Sequence, residues 1–300
     1  MPVLKLYPNG LTGGVRPAYV NHAPTALRGD CSGWSVKSSR SNTRFLYSVL
    51  SPDLPTDSAG NPLLGLALSF TLRDCPPGHG DWKKLREVFF LRLRRAGLYR
   101  LHWLTEWQKR GVPHLHAAVW FDAVAVEAWM SKHHQGLPLA AFPAIIKADW
   151  LQLSASYRSS VAAQDIKPIS DDLGWLQYLS KHAARGAAHY QRAIGSHPVG
   201  WQKTGRMWGH LGDFPTSEPL GLDLDNAGWY QFRRIVRRWR ISNARFGKNP
   251  ARRIKSARRM LKCSEQHLSR VRGVSEWITL DLGMSILHFL SMSGYSLESF

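Results

Sequence analysis

Cysteine is scarce in this sequence. The three present, Cys31, Cys75 and Cys263, are odd in number and no Cys-x-x-Cys occurs. Neither a disulfide framework nor a cysteine zinc site is indicated, and a reducing cytoplasm is the expected compartment. Long apolar runs are missing as well. A helix that spans a bilayer needs roughly 18 or more apolar residues in a row, and the most apolar late segment, Trp277 to Met292, is interrupted by Asp281 and Gly283. No membrane association is expected. The start, Met1 to Gly14, has no basic head followed by an apolar stretch, so no secretory signal is expected either. A Gly-x-x-x-x-Gly-Lys-Ser/Thr loop is also absent, which argues against a built-in ATP-driven motor.

Negative charge is in short supply. Against 40 Lys and Arg stand 21 Asp and Glu, giving a formal net charge of +19. Such a field attracts polyanions, and phosphate backbones are the commonest of these. The excess is unevenly spread. Between Arg233 and Arg272 there are 15 basic residues and one acid, Glu265. The chain therefore reads as a nearly neutral body with a basic tail. Its 300 residues, 44% of them hydrophobic, suffice for one large folded domain with an appendage.

Residues 1–44 are rich in Gly, Pro, Ser, Thr and Asn and read as an irregular arm. Leu63 to Leu72 is continuous and apolar, as a buried strand is. Asp81 is a candidate N-cap for a helix over 82–97, with Trp82, Leu85, Phe89 and Leu93 on one face and Gly97 as its stop. Strands are expected over 98–107 and 113–121, joined by a turn in which Gly111 takes a positive φ. Further helices are expected from Ala123 to His133, from Gly174 to Arg185, and from Trp229 to Phe246. This order of elements indicates an α+β fold, an antiparallel sheet covered by helices.

Within the second of those strands, His114 and His116 fall on the same face while Leu115 points away. Two neighbouring imidazoles can share one divalent ion. Glu106, near the end of the partner strand, is expected beside His114 across the hairpin. A carboxylate added to two imidazoles suits Mg²⁺ or Mn²⁺ better than a structural zinc site. His102 shares the parity of Glu106 but lies further from the turn and reads as structural; His133 and His134 read as a helix end. On the expected helix Gly174 to Arg185, Tyr178 and Lys181 are three apart and so share a face. A phenol titrates near pH 10, and a neighbouring ammonium favours the phenolate. Attack on a phosphodiester by tyrosine would conserve the bond energy in an ester and allow rejoining. Tyr157 and Tyr190 are rival nucleophiles, but neither has a lysine at helical spacing after it.

The order of these segments is more specific than any one of them. Leu68-Ser69-Phe70-Thr71-Leu72 comes first, Glu106-Trp107-Gln108-Lys109-Arg110-Gly111-Val112-Pro113-His114-Leu115-His116 second, and Gly174-Trp175-Leu176-Gln177-Tyr178-Leu179-Ser180-Lys181-His182 third. Together they resemble the three motifs of the HUH endonucleases, within which the chain looks like a rolling-circle replication initiator of plasmid or filamentous phage type. The resemblance covers roughly residues 45–210. It implies a five-stranded antiparallel sheet with flanking helices. It also implies that His114, His116 and Glu106 bind Mg²⁺ or Mn²⁺. Tyr178 would attack the scissile phosphate to leave a 5′-phosphotyrosine and a 3′-OH primer, with Lys181 assisting. Single-stranded and origin DNA would be the substrates, with host helicase and polymerase as partners.

Arg233, Arg234, Arg237, Arg238 and Arg240 ride on the basic helix with Trp229, Phe232, Ile235, Val236 and Trp239, whose spacing marks a buried stripe. Arginine's fork suits phosphate, so these arginines are expected to bind DNA. The expected layout is an arm over 1–44, a nicking and joining domain over 45–215, a basic helical region over 229–272 and a tail over 273–300. A relaxase or transposase would use the same chemistry. A non-catalytic DNA-binding repressor would keep the basic tail alone, and the presence of Tyr178, His114 and His116 argues against it. A zinc hydrolase lacks a third nitrogen or sulfur ligand at suitable spacing. Basic and aromatic residues interleave over Gly200 to Gly212, as base-stacking surfaces and packed cores both do.

Overall fold

A computed structural model describes residues 2–15, 33–169, 191–192, 198–246, 249–259 and 274–299. The chain divides into two compact units, one of residues 25–46 and 50–215, the other of residues 1–24, 47–49 and 216–300. The class is the expected α+β. Among the described residues each unit carries one five-stranded sheet, with every strand pair antiparallel.

Five strands of the first of these units concern the imidazole pair: β3 (Leu63–Thr71), β4 (Leu98–Trp107), β5 (Pro113–Asp122), β6 (Asp165–Pro168) and β7 (Trp208–Leu211). They lie side by side in the order β6-β3-β5-β4-β7, which puts β5 in the middle. β4 and β5 are joined through the expected turn, where Gln108 N–H donates to the Val112 carbonyl at 2.9 Å and Gly111 has φ 77°. One face of the sheet is closed by helices α2 (His79–Arg95) and α4 (Phe142–Leu153). Trp150 of α4 stacks on Phe70 at 5.1 Å and meets Phe89 of α2 edge-on at 5.3 Å. Helix α3 (Ala123–His133) follows β5 directly, with the Asp122 carboxylate accepting from Ala125 N–H as its cap.

Two local expectations need correction. The cap of α2 is Gly78, with no side-chain bond, and Asp81 sits inside the first turn. There its charge complements the positive end of the helix instead of accepting a cap bond. Helix α4 falls in a stretch for which no helix was expected. Pro143 in its first turn, and Phe142, Ile146 and Trp150 at spacings of four, are the features that make it a helix.

The opposite face of the same sheet is partly covered by helix α1 (Val36–Ser48), which lies mostly within the segment read as an arm. Asn42 and His102, both buried, are hydrogen-bonded at 2.8 Å. Phe45 stacks on His210 at 4.2 Å and on His102 at 5.6 Å.

The other unit holds β1 (Pro2–Tyr7), β2 (Gly10–Val15), β8 (Leu220–Leu224), β9 (Val274–Glu276) and β10 (Leu297–Ser299), in the order β10-β8-β1-β2-β9. Its helices are α5 (Asn226–Arg245), α6 (Pro250–Arg259) and α7 (Leu280–Met292). The irregular arm expected over 1–44 and the tail expected over 273–300 are thus structured in large part. Leu4, Leu6 and Leu11 are buried with Trp229, Phe232 and Val236 of α5 and Ile286, Leu287 and Leu290 of α7. The glycines that read as loop markers have a packing role. A Cβ on Gly13 would lie 2.6 Å from the Trp229 ring, and one on Gly283 would meet the Leu6 side chain. At both points a side chain could be accommodated only if the Trp229 ring or the Leu6 side chain shifted.

Candidate functional site

The site is built on the long strands β3, β4 and β5. Period-two alternation sends His114 and His116 out of the same face of β5, with ring centroids 4.3 Å apart and planes tilted by 60°. Register completes the surroundings. Thr71 and Glu106 flank His114, and Ser69 and Leu104 flank His116.

Each imidazole has a partner at Nδ1. Ser69 Oγ lies 3.1 Å from His116 Nδ1, and Gln108 Nε2 lies 3.2 Å from His114 Nδ1. Gln108 is itself held, because its Oε1 accepts from Arg110 Nε at 2.7 Å. Arg110 in turn donates to the Arg73 carbonyl at 2.6 Å and to the Leu72 carbonyl. The β4–β5 turn is thereby tied to the end of β3, and the His114 ring is fixed between them. Gln164 secures the same strand end by accepting from Thr71 N–H at 2.9 Å and donating to its carbonyl at 3.0 Å.

Glu106 stands opposite His114 as expected, but its carboxylate faces a different partner. Arg192 donates to Glu106 Oε1 from Nε at 3.2 Å and from Nη2 at 3.0 Å, and both side chains are fully buried. Arg192 also donates to Ser39 Oγ at 2.9 Å, and its guanidinium lies 4.0 Å over the Trp34 ring. Trp34 Nε1 donates to the Thr105 carbonyl at 2.8 Å, next to Glu106 in β4. A buried charge is costly unless it is paired and hydrogen-bonded, which accounts for this cluster.

The metal expectation can be tested against this geometry. Among the described residues no group of three or more His, Cys, Asp or Glu side chains is gathered as a metal site. The two imidazoles fit, since a ligating histidine commonly has one ring nitrogen oriented by a neighbour while the other faces the metal. Ser69 can accept from His116 Nδ1, leaving Nε2 as the ligating nitrogen. At His114 the amide of Gln108, fixed by Arg110, donates to Nδ1 and so favours the proton on Nε2. Ligation through that nitrogen requires the Gln108 amide to turn over. Glu106 would reach a metal in competition with Arg192.

Of the other candidate residues, Tyr178, Lys181 and Tyr190 lie outside the described residues, as does the helix expected over Gly174 to Arg185. Tyr157 ends a short 3₁₀ turn, and burial pushes its phenol upward, the wrong direction for a nucleophile. His102 is structural as read: complete burial, reinforced by His210, depresses its pKa to about 3 and keeps the ring neutral. His133 and His134 end α3 and pack against Trp129. Trp201 is a core residue, fully buried edge-on to Trp107 at 4.8 Å with its Nε1 donating to the Pro76 carbonyl at 2.8 Å.

On α5, the buried stripe is Trp229, Phe232 and Val236, and the arginines are not equivalent. Arg234 and Arg238 are exposed, Arg237 is half-buried, and Arg233 is buried. Arg240 pairs with Glu276. Arg234 and Arg238 are the best placed of the five to meet phosphate. Sequence reasoning does not reach Ser69, Gln108, Arg110 or Arg192 as site residues. Ser69 and Thr71 left a signal, two hydroxyls at period two in an apolar strand, on the face that meets the histidines. Arg192 left none.

Comparison with known proteins supplies the biological setting. The chain is 43% identical over 298 residues to the Replication-associated protein G2P of Pseudomonas phage Pf3, covering 98% of this chain and 99% of the phage protein. Two proteins of Xylella fastidiosa that carry the name replication protein are 40% and 41% identical, covering 100% and 93% of this chain and 100% of each relative. The chain belongs to this family of replication proteins. No family model and no solved structure matches it. Within the family's replicative setting a net charge of +19 is suited to a nucleic-acid partner, and no helix among the described residues is long and apolar enough to cross a membrane.

Proposed function

We propose that this chain initiates rolling-circle replication by nicking single-stranded DNA at a replication origin, and later rejoins the strand, with Tyr178 as nucleophile. The observation that carries the reading is the pair His114 and His116, side by side on one sheet face beside Glu106, in a chain whose relatives are named for replication.

The chemistry balances without a consumed cofactor. The Tyr178 oxygen forms a bond to the scissile phosphorus as the bond to the 3′ oxygen breaks. The leaving oxygen takes up a proton and becomes a 3′-OH that can prime a polymerase. Attack by a 3′-OH on the phosphotyrosine reverses the step and returns the phenol. Lys181, three residues on, would hold the phosphate and favour the phenolate. His114 and His116 would hold Mg²⁺ or Mn²⁺, with Glu106 as third ligand when it leaves Arg192. A bound divalent ion would polarise a phosphate oxygen and offset developing negative charge. Ser69 and Gln108 orient the rings. Arg234 and Arg238 would bind origin DNA, and strand separation would fall to a host helicase.

The test is incubation with a single-stranded oligonucleotide carrying the origin, with Mn²⁺ or with EDTA, followed by denaturing electrophoresis. The expected result is a covalent protein–DNA adduct that needs the metal and is lost in His114→Ala and His116→Ala. Full cleavage in EDTA would remove the metal from the account. Hydrolytic cleavage with no adduct would make water the nucleophile.

A further inference from the structure

A second basic feature lies on the other side of the same sheet. Period two sends Trp103 of β4 to the face opposite His102 and Glu106, toward α2, where it packs on Phe90 at 6.1 Å. There α2 and the segment leading into β7 enclose a cavity of about 760 Å³. Lys83, Arg86, Arg94 and Arg206 line it with positive charge, and His79 adds an imidazole. The one acid in the lining, Glu87, is paired with Lys83 at 3.7 Å.

Arg86 is the informative residue. It is only 6% exposed, and its guanidinium lies 3.7 Å over the Trp103 ring. Among the described residues it makes no hydrogen bond and no ion pair; its remaining influences are Glu87 and Arg206 acting through space. Burial lowers its pKa to about 10, which still leaves it charged at neutral pH. A guanidinium with five donors, almost entirely buried yet open to the cavity, has no acceptor from the chain and can take one from an anion that enters there. The ring beneath it fixes its plane, so the donors are presented at low entropic cost. Helix α2 adds the positive end of its dipole, because His79 is its first residue and Gly78 offers no capping side chain. Compare Arg192, also buried and stacked on a tryptophan, whose anion is built in as Glu106.

We propose that this cavity is a phosphate-binding site, with Arg86 as its buried anchor and Arg206 as its exposed arm, taking a phosphate of a single DNA strand or of a free nucleotide. The DNA source rests on the proposed function, whereas the anion chemistry does not. Facing away from His114 and His116, the site would hold a phosphate apart from the nicking centre.

The test is calorimetric titration of the full-length protein in EDTA, so that no cleavage enters. The probes are inorganic phosphate, a 5′-mononucleotide and a ten-residue single-stranded oligonucleotide. Arg206→Ala removes an exposed side chain and should fold as the wild type does. It should weaken binding about fivefold or more, and Arg86→Gln about tenfold or more. Weakened binding of mononucleotide and phosphate identifies a free nucleotide as the source, and weakened binding of the oligonucleotide alone identifies the strand. Wild-type affinity of Arg206→Ala for all three probes would overturn the proposal, whether or not Arg86→Gln folds. Adduct formation by Tyr178 is read in a different assay, so the two proposals fail separately.

Discussion

In the sheet that carries the imidazole pair, three neighbouring strands run nine or ten residues each and all lie between Leu63 and Asp122. In the other sheet no strand exceeds six residues, and the partners come from both ends of the chain. The interiors differ as well. The first buries Glu106, Arg192, Arg100, His102 and His116 among its apolar residues. The core of the second is a cluster of Leu, Val, Ile, Trp and Phe, and much of its charge is displayed along α5. Long local strands hold polar groups to a fixed register, which is what site chemistry requires. Short, distant strands depend mainly on apolar packing, with Arg233 and Glu276 as buried charges, and most of the remaining charge lies on the solvent side.

Removing one partner of the buried ion pair should show the contrast most strongly. Glu106→Ala leaves the Arg192 charge buried without its anion and should cost about 3–5 kcal/mol. Urea unfolding followed by circular dichroism reads this, and a loss no larger than that of a surface variant would mean the pair is solvated. Glu106→Gln keeps an acceptor for Arg192 and is the better variant for a Mn²⁺ titration. In the apolar unit the sensitive point is close approach. Gly13→Ala puts a methyl against Trp229 and should cost about 1–3 kcal/mol in the same measurement. A neutral outcome would show that the ring can shift.

His102 sharpens the comparison through pH. Its folded pKa, near 3, lies below the ordinary value of about 6.5, so the unfolded chain binds a proton that the folded chain refuses. The stability from this group is complete above about pH 6.5 and is lost as the pH falls toward 3, at up to about 1.4 kcal/mol per pH unit. His102→Gln keeps a polar group facing Asn42 and removes the titration. Its melting temperature should therefore fall less between pH 6.5 and 4.5 than that of the wild type. Parallel curves would show that the imidazole protonates in place. The smallest effect belongs to the exposed face of α5. Arg234→Ala with Arg238→Ala should leave thermal stability unchanged and lower the salt dependence of DNA binding, by about one unit of log–log slope for each phosphate no longer neutralised. An unaltered slope would place the DNA elsewhere.

The same contrast explains what could be read from the sequence. The strands β3, β4 and β5 were legible because each is a long apolar or alternating run, and Gly111 marked the turn between two of them. From that hairpin the shared face of His114 and His116 and the place of Glu106 opposite His114 followed. The partner of Glu106 did not follow, because Arg192 is 86 residues away in a stretch without periodicity. The sheet of the other unit was illegible for a different reason. Its first hairpin contains Gly10, Gly13 and Gly14, which look like loop residues until Tyr47 and Trp229 are seen against two of those backbones. Long-range pairing of β1 with β8 carries no local signal at all.

Under the proposed function Tyr178 makes and breaks the phosphodiester bond. This is tested most directly by digesting the protein–DNA adduct with protease and nuclease and finding the modified peptide by mass spectrometry, with Tyr178→Phe as the control. Phenylalanine keeps the ring but lacks the oxygen. The account predicts a nucleotide mass on the peptide carrying Tyr178 and no adduct from Tyr178→Phe, which should still bind DNA. A nucleotide on Tyr157 or Tyr190, or an undiminished adduct from Tyr178→Phe, would contradict it.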